Sequence, residues 1–177
     1  MLVMSYEIRT FNRLGNNHKM QSVRLQLTSR GMPQGVSNVQ QSVITFVEII
    51  DINDKLEWWG KFYSEYLGRP LNADEVCMDN PGDYYIIIGR GCVYETVGFI
   101  NVLNYTPGMS EDDICLAVIY VDQKYRGNGI YDSILNCGLI RGVYVGYNTY
   151  NKYKNYYVNN GFIEKSQCCF DLLLVKK

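Results

Sequence analysis

Histidine is nearly missing: the 177 residues contain one, His18. A lone histidine in a polar stretch reads as a surface group. With one imidazole and no suitable cysteine spacing, the chain carries no zinc motif. The six cysteines form no pattern: Cys77, Cys92, Cys115 and Cys137 are scattered, while Cys168 and Cys169 are adjacent. Met1 to Glu7 lacks the basic and apolar regions of a signal peptide. A cytoplasmic, reducing location with free thiols is therefore expected. No apolar run approaches the about 20 residues of a membrane span, so no membrane partner is expected. Charge of one sign is also not in excess, with 17 Lys and Arg against 18 Asp and Glu and a pI near 5.8. That balance argues against a general nucleic-acid surface, yet leaves room for a local basic patch at Lys124, Arg126, Arg141, Lys152 and Lys154.

What is present suits one globular domain: 47% of residues are hydrophobic, enough at this length for a sizeable core. The 16 tyrosines, with many asparagines, resemble coding from an AT-rich genome such as that of a virus or phage. The organising stretch is Ile114 to Leu135. Ile114 to Val121 is an uninterrupted apolar run, suited to a strand buried on both faces. Asp122 to Asn128 is polar and turns. From Gly129, Ile130, Ile134 and Cys137 fall at helical spacing. A strand, a basic glycine-bearing turn and a helix aim backbone N–H groups at one spot, which favours an anion such as phosphate.

Two segments in order carry a family resemblance. Val121 to Ile130, with Arg126, Gly127, Asn128 and Gly129, resembles the acetyl-CoA-binding turn of the GNAT acyltransferase superfamily. Tyr157 to Phe162, with Gly161, looks like that family's later tyrosine and Gly-Phe signature. The resemblance covers roughly the C-terminal third. It implies an α+β fold: a GNAT-like mixed, mostly antiparallel central sheet flanked by helices. Residues 42–177 would form that domain, and residues 1–41 an N-terminal extension packed on it.

Along the chain, alternation over Tyr6 to Phe11 and Val23 to Leu27 suggests a hairpin in the extension. Val43 to Ile50 reads as a strand. Asp51 to Asp54 can cap a helix over Lys55 to Tyr66, stopped by Gly68 to Pro70. Trp58 and Trp59 read as core and edge packing. A short helix is expected from Asn72 to Met78. Strands are expected at Tyr84 to Ile88 and Val97 to Leu103, joined by a turn over Gly89 to Thr96. The helix after Gly129 is expected to run to Arg141 and Gly142. A strand at Val143 to Tyr147, a helix at Asn148 to Asn159 and a closing strand at Cys169 to Val175 complete the order.

The resemblance implies an activity: transfer of an acetyl group from acetyl-CoA to an amine of a protein or small molecule by direct attack. Tyr120 and Val121 would face the thioester and pantetheine arm, and the amides of Arg126, Gly127, Asn128, Gly129, Ile130 and Tyr131 would hold the pyrophosphate. Tyr157 would protonate the leaving thiolate, since a phenol of pKa about 10 is a usable donor. A homodimer is compatible with it. Tyr131 takes the place of the turn's last small residue, so its ring must point away from a bound pyrophosphate. Asp132 adds a carboxylate that suits a helix N-terminus but repels phosphate. The central strand carries no carboxylate to act as base. Asp112, Asp113 and Glu95 read as solvated loop charges, leaving a water relay to a backbone carbonyl, Tyr120 or Cys115. The competing readings are a GNAT-like binding or interaction protein without catalysis, and base modification of nucleic acid, which the near-neutral charge does not favour.

Overall fold

The computed structural model describes residues 21–23, 42–72, 82–90, 92–103, 106, 108–109, 113–136, 138, 140–168 and 171–177. In chain order the elements are strand β1 (Gln21–Val23), β2 (Ser42–Glu48), helix α1 (Ile52–Phe62) continued by a π-helical turn (Tyr63–Leu67), β3 (Asp83–Arg90), β4 (Val93–Leu103) and β5 (Ile114–Val121). A short 3₁₀ turn (Gln123–Tyr125), α2 (Ile130–Leu135), β6 (Ile140–Gly146), α3 (Tyr147–Asn159), β7 (Phe162–Cys168) and β8 (Asp171–Lys176) follow. The eight strands form one sheet in the order β1-β2-β3-β4-β5-β6-β8-β7. Every neighbouring pair is antiparallel except β5 and β6. This is the mixed, mostly antiparallel α+β architecture expected. No helix among the described residues is long and apolar enough to cross a membrane.

The sheet separates two cores. On one face α1 lays Trp58 on Phe99 and Tyr120, with Trp59 and Phe62 alongside. On the other, α2 and α3 cover Ile100, Leu116, Val121, Val143 and Leu174. A bulge in β5 sets which residues face which side. Asn101 pairs with Val118 and Val102 with Leu116, so Ala117 is passed over in the register. Side chains alternate with period two, so one extra residue reverses the faces beyond it. Leu116, Ile119 and Val121 accordingly share the α2–α3 side, while Val118 and Tyr120 meet α1.

Several boundaries differ from expectation. Asp51 does cap α1, its Oδ1 accepting from Asn53 N at 2.7 Å; the helix therefore begins at Ile52 and not at Lys55. Its last turn widens to the π form and closes at Gly68, φ 65°. Helix α2 spans only Ile130–Leu135. The chain turns at Gly138, φ 76°, and Ile140, read above as part of the helical pattern, opens β6. Strand β3 runs on to Arg90 and β4 already begins at Val93. Gly89 and Arg90, read as turn signals, lie in the strand, and the Tyr94 ring covers the Cβ-free face of Gly89 across the pair. Strand β7 has no counterpart in the sequence reading because Ile163 to Ser166 is exposed and polar; it is an edge strand paired only to β8. The closing strand is Asp171–Lys176. The strand at Tyr6 to Phe11, the residues beyond Val23 in the second one, the helix after Asn72 and most of the extension lie outside the described residues.

One buried polar cluster had no sequence signal. Asp83 is 2% exposed and accepts from Asn101 Nδ2 at 2.8 Å and Trp59 Nε1 at 3.1 Å. Lys55, also buried, places Nζ at 3.9 Å. The cluster ties α1 to β3 and β4 beneath the α1 core.

Candidate functional site

Strands β5 and β6 run parallel, but their pairing covers only Ile114 with Ile140, Cys115 with Gly142 and Leu116 with Val143. Beyond Leu116, β5 is paired to β4 alone and β6 to β8 alone. The two central strands thus part toward their C-terminal ends. Ala117, the bulge residue, is matched by neither neighbour in the register and lies where the two strands part.

The turn that follows β5 closes this opening at one end. Asp122 caps the 3₁₀ turn by accepting from Lys124 N at 3.1 Å. Gly127 and Gly129 have φ of 80° and 73°, a left-handed geometry that side-chain-bearing residues adopt at a cost. Two such residues flanking Asn128 turn the chain back into α2. Among the described residues, the backbone amides of Gly127, Asn128, Gly129, Ile130 and Tyr131 have no protein acceptor. Five successive free N–H groups on one turn make an anion-binding concavity.

A cleft of about 520 Å³ borders these amides, lined by Val121, Arg126, Gly127, Gly129, Ile130 and Tyr131, with Ile119, Tyr66, Tyr125, Asp132 and Tyr153 completing its wall. Six of the eight residues assigned above to cofactor binding come together there. Asn128 lies beside the turn with its amide group on Tyr125 O at 3.1 Å. Tyr120 is directed the other way, into the aromatic core under α1, and donates to Glu65 at 3.1 Å. Burial and the Glu65 bond push its hydroxyl up to about 12. Burial likewise pushes the Cys115 thiol up. Neither group is poised as a base. Of the carboxylates considered, Glu95 is exposed on β4 and accepts from Tyr125 at 3.4 Å, Asp113 is half-buried at the start of β5, and Asp112 lies outside the described residues.

Tyr157 is 3% exposed and stands behind the cleft wall. Its hydroxyl is 3.1 Å from that of Tyr131, which does line the cleft. Tyr131 thus connects the cleft wall to Tyr157, its ring packing against that of Tyr156. Burial raises the pKa of both hydroxyls, Tyr131 the more, while the bond from Tyr131 offsets part of the effect on Tyr157. Asp132 is held by the Tyr156 hydroxyl, so its carboxylate faces α3 as well as the cleft.

Arg126 is committed on two sides. Its Nε donates to Val121 O at 2.8 Å, and its guanidinium pairs with Glu65. The guanidinium also lies 5.6 Å from the Tyr66 ring. Of the basic residues grouped above, Lys124 rests on Tyr125, Lys152 on Tyr153, and Lys154 reaches Glu164 at 3.7 Å. No group of three metal-ligating side chains occurs among the described residues. Sequence reasoning missed Glu65, Tyr66, Tyr125 and Tyr153. The two glycines gave a signal for the turn, but nothing local indicated that the end of α1 or the start of α3 would meet it.

No family model matches the sequence, and no curated protein matches it. Solved structures do. A protein of Pyrococcus horikoshii OT3 shares 16% identity over 77% of this chain and 98% of its own, with a TM-score of 0.50. An acetyltransferase from Thermus thermophilus shares 14% over 75% of this chain and 94% of its own, at 0.48. The GNAT domain of S. lividans PAT shares 14% over 77% and 90%, also at 0.48. At such identity the likeness is one of fold: this chain shares the fold of the Pyrococcus horikoshii protein.

Proposed function

We propose that the chain is an N-acyltransferase that moves an acetyl group from acetyl-CoA to an amine of a protein or small molecule. The observation that carries this reading is the row of free amides at Gly127 to Tyr131, beside a cleft at the mouth of two parting parallel strands. The pyrophosphate of acetyl-CoA fits the turn, where N–H groups and the start of α2 favour negative charge. The pantetheine arm would lie against the unpaired edge of β5 past Leu116. Under this reading a backbone amide at the β5 bulge would polarise the thioester carbonyl as it becomes an oxyanion.

Direct attack needs no enzyme nucleophile. The amine nitrogen bonds to the carbonyl carbon, the C–S bond breaks, and the sulfur takes a proton. Tyr157 is the proton source implied by the resemblance, and its raised pKa keeps it protonated at neutral pH. Because Tyr157 does not line the cleft and its hydroxyl meets that of Tyr131, which does, the proton would pass by way of the Tyr131 hydroxyl.

The test is thiol release from acetyl-CoA in the presence of a panel of amines: polyamines, free amino acids and lysine peptides. Tyr157→Phe should slow turnover about 10²-fold, the low end for loss of a general acid, with acetyl-CoA affinity nearly unchanged. An equal rate for wild type and variant would remove Tyr157 from the chemistry.

A second reading, a GNAT-like binding protein without catalysis, is favoured by one observation: Tyr131 and Asp132 are both residues of the cleft wall. Under that reading wild-type protein releases no thiol with any amine, and Tyr131→Ala opens the cleft without creating turnover.

A further inference from the structure

Asp132 sets two demands against each other. In the first turn of α2 its carboxylate suits the unpaired N–H groups. The same carboxylate repels a phosphate held by those groups. Asp132 is a residue of the cleft wall, and it directly follows the free amides of Gly127 to Tyr131. Among the described residues no Lys or Arg pairs with it. Its hydrogen bond comes from α3, where the Tyr156 hydroxyl donates to Asp132 Oδ1.

The placement of Tyr156 follows from the shape of α3. That helix departs from helical geometry at Tyr153, with φ −118° and ψ 23°. Past the break, two successive tyrosines meet α2. Tyr157 puts its hydroxyl on that of Tyr131, and the Tyr156 ring packs 6.4 Å from the Tyr131 ring. Tyr156 is half-buried and is not a residue of the cleft wall. Burial and the Asp132 bond push its hydroxyl above the usual tyrosine value, so at neutral pH it stays protonated and able to donate.

We propose that Tyr156 holds the Asp132 carboxylate toward α3 and thereby lets the turn from Gly127 to Tyr131 take a pyrophosphate. The proposal rests on reading the cleft as the acetyl-CoA site. Tyr156 is a positioning residue: it acts on the ligand only through Asp132. Its hydroxyl does two things. It fixes the direction of the carboxylate, and as a donor to an ionised group it offsets part of the negative charge. Both effects have the same sign, so removing the hydroxyl can only increase the repulsion felt at the turn. The arrangement keeps the carboxylate that favours the start of α2 while limiting its cost to anion binding.

The test is a double-mutant cycle. Acetyl-CoA is titrated by calorimetry into wild type, Tyr156→Phe, Asp132→Asn and the double variant. Tyr156→Phe keeps the ring that packs on Tyr131, and Asp132→Asn keeps the side-chain oxygen; melting curves check that each is folded. At about 0.1 M salt, Tyr156→Phe should weaken binding about two- to fivefold, the size of one exposed charge interaction. Asp132→Asn should tighten it by a similar factor. In the Asp132→Asn background, Tyr156→Phe should change nothing. At about 1 M salt, where screening acts within about 3 Å, the difference between wild type and Tyr156→Phe should vanish. A structural role for the hydroxyl would survive both the Asp132→Asn background and the salt. Binding by Tyr156→Phe equal to or tighter than wild type overturns the proposal. So does an equal weakening in the Asp132→Asn background, or a loss that persists at high salt. Wild type that binds no acetyl-CoA at either salt overturns the acetyl-CoA reading beneath it.

Discussion

Asp83→Ala is expected to lower stability by about 3–5 kcal/mol, the cost of removing one partner of a buried ion pair. The carboxylate is the hub of its cluster: Trp59, Asn101 and Lys55 all address it. Without it the Lys55 ammonium and two N–H donors stay buried with nothing to meet. In a protein of this size the melting temperature should fall by roughly 10 °C. Lys55→Met combined with Asp83→Leu should recover part of the loss, since an apolar pair leaves no uncompensated charge. Trp59 and Asn101 would remain unsatisfied, so recovery should be incomplete. A melting temperature for Asp83→Ala within a degree of wild type would show that the cluster does not hold α1 to the sheet.

Gly98→Ala should damage both the fold and the site. A Cβ at position 98 would sit 2.0 Å from Tyr120 O and 3.0 Å from the Val121 Cα. Those are backbone atoms of the paired strand, so no rotamer change relieves the clash, and β4 and β5 must separate where they end. Overpacking of this kind costs about 1–3 kcal/mol. The same stretch of β5 leads into the turn at Arg126 to Gly129. A displacement near 1 Å there should lower turnover about 10²-fold by misplacing the bound thioester, beyond what the stability loss accounts for. Normal turnover in a Gly98→Ala protein that melts a few degrees early would separate the strand end from the chemistry.

The parts of the fold that were legible had local causes. The apolar run Ile114 to Val121 and the glycines at 127 and 129 marked β5 and its turn, because buried strands and left-handed residues leave compositional signs. Asp51 marked the start of α1 for the same reason. What stayed hidden depends on partners distant in sequence. Glu65 lies 55 residues from Tyr120, and it meets Tyr120 and Arg126 from a π-turn that composition does not announce. Asp83 stands just before the strand expected at Tyr84, with no sequence sign of burial; its partners come from α1 and β4. Tyr157 is one of five tyrosines on α3, Tyr147, Tyr150, Tyr153, Tyr156 and Tyr157, and stands four residues before Gly161. The spacing did locate it on α3, but could not show that Tyr131, on another helix, would connect it to the cleft wall.

The central claim is that the turn from Gly127 to Tyr131 and its cleft bind acetyl-CoA, and calorimetric titration of the wild-type protein tests it most directly. Saturable binding with one acetyl-CoA per chain is predicted, with stabilisation of about 2.7 kcal/mol once ligand exceeds its dissociation constant a hundredfold. Arg126→Ala should weaken that binding. No heat of binding and an unchanged melting temperature at millimolar acetyl-CoA would contradict the account.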